Sequence, residues 1–140
     1  MPRRVVLDTN VVVSALRSRQ GAAWRLFQRV GTAAFDHVLS VALILEYEAV
    51  CTRPSAGLRL SATEIEDVLE YLALTGLRQP IHFLWRPMLP DPADDHVLDL
   101  AVAARAAIIT YNRRDFGPAS QFGIAVLTPQ QFLTQIGENP

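Results

Sequence analysis

Apolar residues along this chain occur either in short continuous runs or at helical spacing. Continuous runs bounded by polar residues are typical of buried strands, and five of them predict strands over residues 4–7, 35–39, 81–84, 107–110 and 124–127. Helical spacing predicts helices over residues 11–19, 22–30, 41–52 and 94–106, while the proline-rich segment 87–92 predicts a stiff loop.

Polar residues at the helix starts support this assignment. Asn10 and Ser40 stand where N-caps are expected for the helices over 11–19 and 41–52. Ser61 and Glu64 match a capping box that opens a helix to residue 75, and Thr128 begins a last short helix. Strands that alternate with helices predict an α/β fold with a parallel sheet covered on both faces.

Composition limits the class of protein without naming a function. The 140 residues are enough for one domain over residues 1–140, and 50% hydrophobic with 19% charged residues is a globular composition. The net charge of −1 does not indicate nucleic-acid binding. All 13 basic residues are arginines, several of them paired. Arginine suits phosphate, but the codon usage of a GC-rich genome explains the absence of lysine equally well.

Several classes are disfavoured. Cys51 is the single cysteine, so no intrachain disulfide forms, and no signal peptide or membrane-spanning run is present, which together predict a cytoplasmic protein without membrane contact. His37, His82 and His96 lack zinc-site spacing, and His96 is expected on the exposed side of its helix. No GxSxG, GxGxxG or P-loop motif occurs.

Acidic and amide side chains recur where a site is expected in an α/β fold. Asp8 directly follows the first strand, and Asn112 and Asp115 follow the strand over 107–110. Glu46 lies in an otherwise apolar helix, and Asp94 begins another. Ligands of parallel sheets gather beyond the carboxyl ends of the strands, and oxygen ligands without a matching set of Cys or His suit Mg²⁺ or Mn²⁺.

Helical spacing separates some of the acids and leaves others open. Asp94 shares a helix face with the apolar residues three, four and seven positions later, so it is expected to point inward. Asp95 and Asp99 lie one step round the helix and are expected to be more easily solvated. Periodicity does not choose between Glu46 and Glu48.

Each acid also has an ordinary structural explanation. A strand-end Asp8 can cap the following helix, Asp94 is favoured by a helix dipole, and Asp115 fits a simple turn. An ion pair with Arg25 or Arg105 would satisfy Glu46. Their expected convergence on one edge of the sheet nevertheless favours a site.

Four segments in order resemble the motifs of the PIN domain, most closely the toxin-like PIN proteins of bacterial and archaeal toxin–antitoxin pairs. They are VVLDTNVVVSAL at residues 5–16, SVALILEY at 40–47, DPADDHVLDLA at 91–101 and IITYNRRDF at 108–116. The second motif selects Glu46 over Glu48, and the third selects Asp94. In the fourth, Asn112 stands where many relatives have aspartate, so the fourth acid is either supplied by Asp115 or absent.

The resemblance implies a three-layer α/β/α fold with a central parallel sheet of four to five strands. It also implies Mg²⁺- or Mn²⁺-dependent hydrolysis of RNA phosphodiester bonds. The catalytic acids would be Asp8, Glu46, Asp94 and Asp115, which with Asn112 would also be the metal ligands. Substrate or water contacts would come from Thr9, Asn112 and Arg113, with Arg114 beside it.

Partners follow from the same resemblance. A homodimer and a cognate antitoxin are expected, with contact surfaces at the helix over 61–75 or at the aromatic residues Trp24, Phe27 and Trp85. Two alternatives remain open. One is a PIN-fold nuclease that processes RNA outside a toxin pair, and the other is an interaction module that binds metal poorly, for which Asn112 is the main argument. A receiver-like phosphoacceptor domain is disfavoured because the chain has no lysine.

Overall fold

The computed structural model describes residues 3–84 and 88–137. Its sheet has five strands, all parallel, in the order β3-β2-β1-β4-β5. The strands are β1 (Arg3–Leu7), β2 (Phe35–Leu39), β3 (Leu77–Arg78), β4 (Ala107–Ile109) and β5 (Val126–Leu127). The helices that flank the sheet are α1 (Thr9–Arg17), α2 (Ala22–Phe27), α3 (Val41–Cys51), α4 (Ala62–Thr75), α5 (Asp95–Ala104) and α6 (Pro129–Gln135). The α/β prediction with a parallel sheet of four to five strands is confirmed.

Strand β1 is the centre of the core. It pairs with β2 on one side and with β4 on the other, and Val5, Val6 and Leu7 are at most 1% exposed. A continuous apolar run is required there because both faces of a parallel sheet are covered by helices. No helix within residues 3–84 and 88–137 has the length and apolar character needed to cross a membrane.

The local capping signals were accurate in three of four places. The Ser40 side chain accepts a hydrogen bond from the backbone N–H of Leu43, and both Ser61 and Thr128 form complete capping boxes. The prediction that Asn10 caps α1 was wrong, because the helix begins at Thr9 and Asp8 caps it through Oδ1. Asn10 lies within the helix.

The predicted third strand over residues 81–84 was also wrong. Strand β3 is Leu77–Arg78, directly after α4. A Cβ on Gly76 would lie 2.3 Å from Leu39 Cδ1, so the missing side chain lets the chain pass against β2 as soon as the helix ends. Phe83 and Leu84 are 73% and 65% exposed, so their apolar character does not reflect a place in the core.

Helix α5 begins one residue later than predicted, after a 3₁₀ turn over Pro92–Asp94. Asp95 and Asp99, which were expected to be solvated, are buried. Oδ1 of Asp95 accepts the backbone N–H of Leu89 at 3.0 Å, so this carboxylate anchors the preceding loop. Residues 97–101 of α5 are all buried, so the helix is covered on nearly every side, and a pattern that assumes one exposed face misplaced its acids.

Other boundaries differ by a few residues. Helix α1 ends at Arg17 rather than at residue 19, and α2 ends at Phe27 rather than at residue 30. Helix α5 ends at Ala104 because Arg105 adopts a left-handed conformation with φ 52°. Strand β5 begins at Val126 rather than at residue 124.

Candidate functional site

One cavity of about 380 Å³ lies beyond the carboxyl ends of β1 and β4 and collects the predicted acids. Its lining includes the carboxylates of Asp8, Glu46, Asp94 and Asp115, together with Thr9 and Asn112. These residues come from separate parts of the sequence: the start of α1, the middle of α3, the turn before α5 and the segment after β4. The fold therefore brings together all four acids that the motifs predicted.

Asp8 is the most enclosed of the four, at 7% exposed. Its Oδ1 accepts the backbone N–H of Thr9 at 2.9 Å, and its Oδ2 accepts the hydroxyl of Thr110 at 2.8 Å. Burial raises the pKa of Asp8, an effect that these two hydrogen bonds oppose and the nearby charge of Glu46 reinforces. The capping role and the site role are therefore filled by the same carboxylate.

Glu46 is held from two sides. Its Oε2 accepts the hydroxyl of Thr9, and its Oε1 lies 3.0 Å from Nε2 of His96. Partial burial on its own raises the pKa of Glu46, but the hydrogen bonds from His96 and Thr9 and the charge of Arg53 bring it below its ordinary value. Glu48 is exposed, so the structure selects Glu46, and its partners are neither Arg25 nor Arg105.

Helix α3 is itself anchored to the end of β1. The hydroxyl of Tyr47, fully buried, donates to the backbone carbonyl of Leu7. Because Glu46 precedes Tyr47 and Asp8 follows Leu7, this contact sets the spacing between the two carboxylates.

Asp94 lies at the end of the 3₁₀ turn and is partly exposed. Its pKa is raised to about 6. The causes are burial first, and then the negative charges of Asp8, Asp91, Asp115 and Glu46. Mutual repulsion among these carboxylates is the electrostatic signature of a site that favours a cation.

Thr110 connects the segments on the β4 side, a role that the sequence did not reveal. Its fully buried hydroxyl donates to Asp8 and accepts the side-chain amide of Asn10 at 3.2 Å and the backbone N–H of Asn112 at 3.0 Å. The signal that could have identified Thr110 as part of the site was its position in the fourth motif. The Asn112 side chain lines the cavity, and its segment continues into a 3₁₀ turn that carries Asp115.

One prediction about an individual side chain was wrong. His96 was expected on the exposed side of its helix, but it contacts Glu46 because α3 packs against α5 over that face.

Arg113 remains a predicted contact for substrate or water. In the structure its Nε donates to the backbone carbonyl of Val126 at 3.1 Å, and Arg113 is not among the residues that line the cavity.

Two arginines outside the four motifs contribute positive charge to the cavity. Arg17, at the end of α1, and Arg53, just after α3, line it together with Ser55. The arginine content of the sequence was compatible with a phosphate partner, but it did not indicate which arginines would face the cavity.

The oxygen donors of the cavity fit a divalent cation such as Mg²⁺ or Mn²⁺ in kind. The raised pKa of Asp94 is consistent with this fit, because a cation would counter the negative charges that add to burial in raising it. Within residues 3–84 and 88–137, however, no three His, Cys, Asp or Glu side chains are gathered as closely as the ligands of one ion. An ion held by three or more of these carboxylates at once would therefore require them to move closer together.

Comparisons with known proteins agree with this architecture. A family model described as the PIN domain matches residues 4–114. Among solved structures, FitAB bound to the IR36 DNA fragment superposes with a TM-score of 0.54 at 18% identity, covering 89% of this chain and 94% of that one. FitAcB from Neisseria gonorrhoeae gives 0.54 at 17% identity, covering 89% and 97%. No curated protein matches the chain.

Proposed function

The chain belongs to the PIN-domain family, whose members are generally nucleases, and we propose that it is an endoribonuclease dependent on Mg²⁺ or Mn²⁺. The observation that carries this proposal is that Asp8, Glu46, Asp94 and Asp115 all line the same cavity. A cluster of carboxylates repels a phosphodiester, so a cation is needed for binding as well as for chemistry.

The proposed metal ligands are Asp8, Glu46, Asp94, Asp115 and the amide oxygen of Asn112. A bound divalent ion would supply a water of lowered pKa and would counter the charge that develops on the phosphate. The protein orients these ligands in advance. Thr110 holds Asp8, and Thr9 with His96 holds Glu46, so two carboxylates are positioned before substrate arrives.

The decisive experiment is cleavage of a single-stranded RNA panel with Mg²⁺ or Mn²⁺, using Asp8→Asn and Asp94→Asn. Removing one ligand charge is expected to lower kcat/KM at least about 100-fold, as loss of an electrostatic contact in the transition state does. Glu48→Gln is the matched control, because Glu48 is an exposed carboxylate on the same helix as Glu46. Undiminished cleavage by either aspartate variant would contradict the site assignment.

The substrate class needs its own comparison. FitAB, which shares the fold, was solved with a DNA fragment, so single- and double-stranded DNA belong beside RNA in the panel. Cleavage of RNA alone supports the ribonuclease proposal. Preference for DNA would favour a PIN-fold nuclease of another role. An RNA substrate also implies a cytoplasmic location, with which the buried thiol of Cys51 is compatible.

We further propose that the protein is the toxin of a toxin–antitoxin pair, as its four motifs suggest. Induced expression should arrest growth, and co-expression of the protein encoded by an adjoining open reading frame should restore it. Growth arrest that Asp94→Asn does not relieve would contradict a toxin role for this site.

A homodimer is the other proposed assembly. On α4, Leu74 is 77% and Tyr71 43% exposed, which suits a contact surface. Trp24 and Phe27 stack on each other at 6.1 Å, and Trp85 lies outside the described residues. Analytical ultracentrifugation of the wild type and of Leu74→Glu tests the α4 surface, since the variant should shift a dimer towards monomer.

A catalytically weak interaction module remains the second candidate, because Asn112 removes one negative charge from the cavity. Calorimetry with Mn²⁺ separates the two. Binding that is strengthened by Asn112→Asp but already present in the wild type supports the enzyme, whereas its absence in the wild type supports the module.

A further inference from the structure

The cavity that holds the carboxylates runs along the facing sides of two helices towards a basic end. On α1 it is lined by Asn10, Val13 and Arg17, which are spaced by three and four residues and so share one helix face. Glu46, Val50 and Arg53 line it with the same spacing from the α3 side. Helix α3 ends at Cys51, about 8 Å along its axis from Glu46 at 1.5 Å per residue, and Arg53 follows two residues later.

The turn beside Arg53 is held by Arg17. Nε and Nη2 of Arg17 both donate to the backbone carbonyl of Ala56, at 3.0 and 2.6 Å. That carbonyl belongs to the 3₁₀ turn Pro54–Ala56, which Arg53 opens and a left-handed Gly57 closes. The guanidinium of Arg17 is therefore engaged in fixing the backbone on which Arg53 stands.

Arg53 itself is exposed, and its guanidinium forms no hydrogen bond within the described residues. Its charge acts on Glu46 without a direct ion pair between them. An arginine whose backbone is held while its planar set of donors is free suits the binding of an anion.

We propose that Arg53 binds a backbone phosphate next to the scissile one, and that Arg17 is a positioning residue that holds the Pro54–Ala56 turn for it. This inference rests on the proposed function, because it takes the acidic end of the cavity as the place of cleavage. The two ends of the cavity then have different roles. The carboxylates bind the metal at the reacting phosphate, and Arg53 offsets their repulsion of the neighbouring RNA backbone.

The test uses a fluorescein-labelled single-stranded RNA of mixed sequence and the full chain. Binding is measured with Ca²⁺ in place of Mg²⁺ over a series of salt concentrations, and cleavage is measured with Mg²⁺. The variants are Arg53→Ala, Arg53→Lys and Arg17→Gln. Arg59→Ala is the matched control, because Arg59 is an exposed arginine of the same connection that does not line the cavity.

Losing one phosphate contact to a single strand should reduce the salt slope of log K by about 0.7 in Arg53→Ala. KM should rise about tenfold while kcat stays near that of the wild type, the pattern expected when a contact equal in ground and transition states is lost. Arg53→Lys should keep most of the salt dependence of binding, because lysine retains the positive charge. Arg17→Gln should raise KM, but its salt slope should fall by less than about 0.7, because Arg53 is still present.

A salt slope and KM for Arg53→Ala equal to those of Arg59→Ala would overturn this inference while leaving the ribonuclease proposal intact. Failure of the wild type to cleave any RNA would instead defeat the proposed function. In that case only the salt dependence of RNA binding tests the role of Arg53. A salt slope that is unchanged in Arg53→Ala, or an absence of RNA binding, would overturn that role as well. Thermal melting of each variant confirms that the comparison is between folded proteins.

Discussion

Nε2 of His96 lies 3.0 Å from Oε1 of Glu46 and joins α5 to α3 at the wall of the cavity. The other oxygen of Glu46 accepts the hydroxyl of Thr9 from α1. One carboxylate thus ties three helices together, and its orientation depends on partners that are far apart in the sequence.

Replacing His96 should therefore affect activity more than folding. In His96→Ala, Glu46 loses one of its two hydrogen bonds, and we expect kcat to fall about tenfold, in the range found when partners of metal ligands are removed. His96→Gln, which offers an amide donor, should recover part of the loss. His82→Ala is the control, since His82 is exposed, and equal kcat for the two alanine variants would show that the contact is dispensable.

Thr110→Val should cost both stability and activity. Valine has nearly the same shape but removes the hydroxyl that joins Asp8, Asn10 and the backbone of Asn112. The free energy of unfolding should fall by about 1–3 kcal/mol, as when buried polar groups lose a partner. Urea denaturation measures it. Thr52→Val, at an exposed position, should change it by no more than about 0.5 kcal/mol, and a similar value for both variants would contradict the connecting role of Thr110.

Gly76→Ala should destabilise the fold, although φ at this residue is −81° and imposes no strain on alanine. The new Cβ would meet Leu39 Cδ1 at 2.3 Å and His37 Cε1 at 2.8 Å, so these two buried side chains would have to move. Overpacking of this kind costs about 1–3 kcal/mol. At Gly117 a Cβ meets nothing within 4 Å, so Gly117→Ala should leave the melting temperature unchanged or slightly raised. A melting temperature lower for Gly117→Ala than for Gly76→Ala would contradict the close approach at Gly76.

His37 should make the protein sensitive to acid. Its ring is 1% exposed, and burial lowers the pKa of His37 to about 4. The hydroxyl of Thr75 donates to the carbonyl of Tyr71, so it accepts from Nε2 of His37, which leaves Nδ1 unprotonated and buried.

Since the unfolded chain binds this proton near pH 6.5 and the folded chain only near pH 4, the unfolded state holds more protons between these values. The contribution of His37 to stability should therefore be constant above pH 6.5 and fall as the pH drops towards 4, by up to about 3 kcal/mol. Asp94, with its pKa raised to about 6, acts in the opposite direction because the folded state holds the extra proton there. Denaturation of the wild type and of His37→Asn across this range isolates the histidine, and identical pH profiles would refute its contribution.

The parts of the fold that depend on neighbouring residues could be predicted from the sequence. The caps at Ser40, Ser61 and Thr128 rest on hydrogen bonds across three residues, and β1 rests on a continuous apolar run. The α/β class follows from the order of such elements. The acids could be named because motifs carry them, and Asp8 illustrates this best, since it follows a buried strand.

Only the tertiary structure decided which of these residues meet and what surrounds them. The prediction was weakest at α5, where Asp95, His96 and Asp99 were expected to be solvated, because neighbouring elements cover this helix on nearly every side. Strand β3 pairs where Gly76 permits close approach, which an apolar run at residues 81–84 could not indicate.

The contacts of the site itself join residues that are far apart in the sequence. Thr110 reaches Asp8 across 102 residues and His96 reaches Glu46 across 50. Arg53 enters the cavity because α1 and α3 pack side by side. From the sequence alone, β1, the capped helices and the acids carried by the motifs could be identified, because these depend on apolar runs, local hydrogen bonds and short motifs. The packing of the helices on the sheet decided which side chains hold the acids in place and where positive charge faces them, because those contacts exist only once distant segments are buried together.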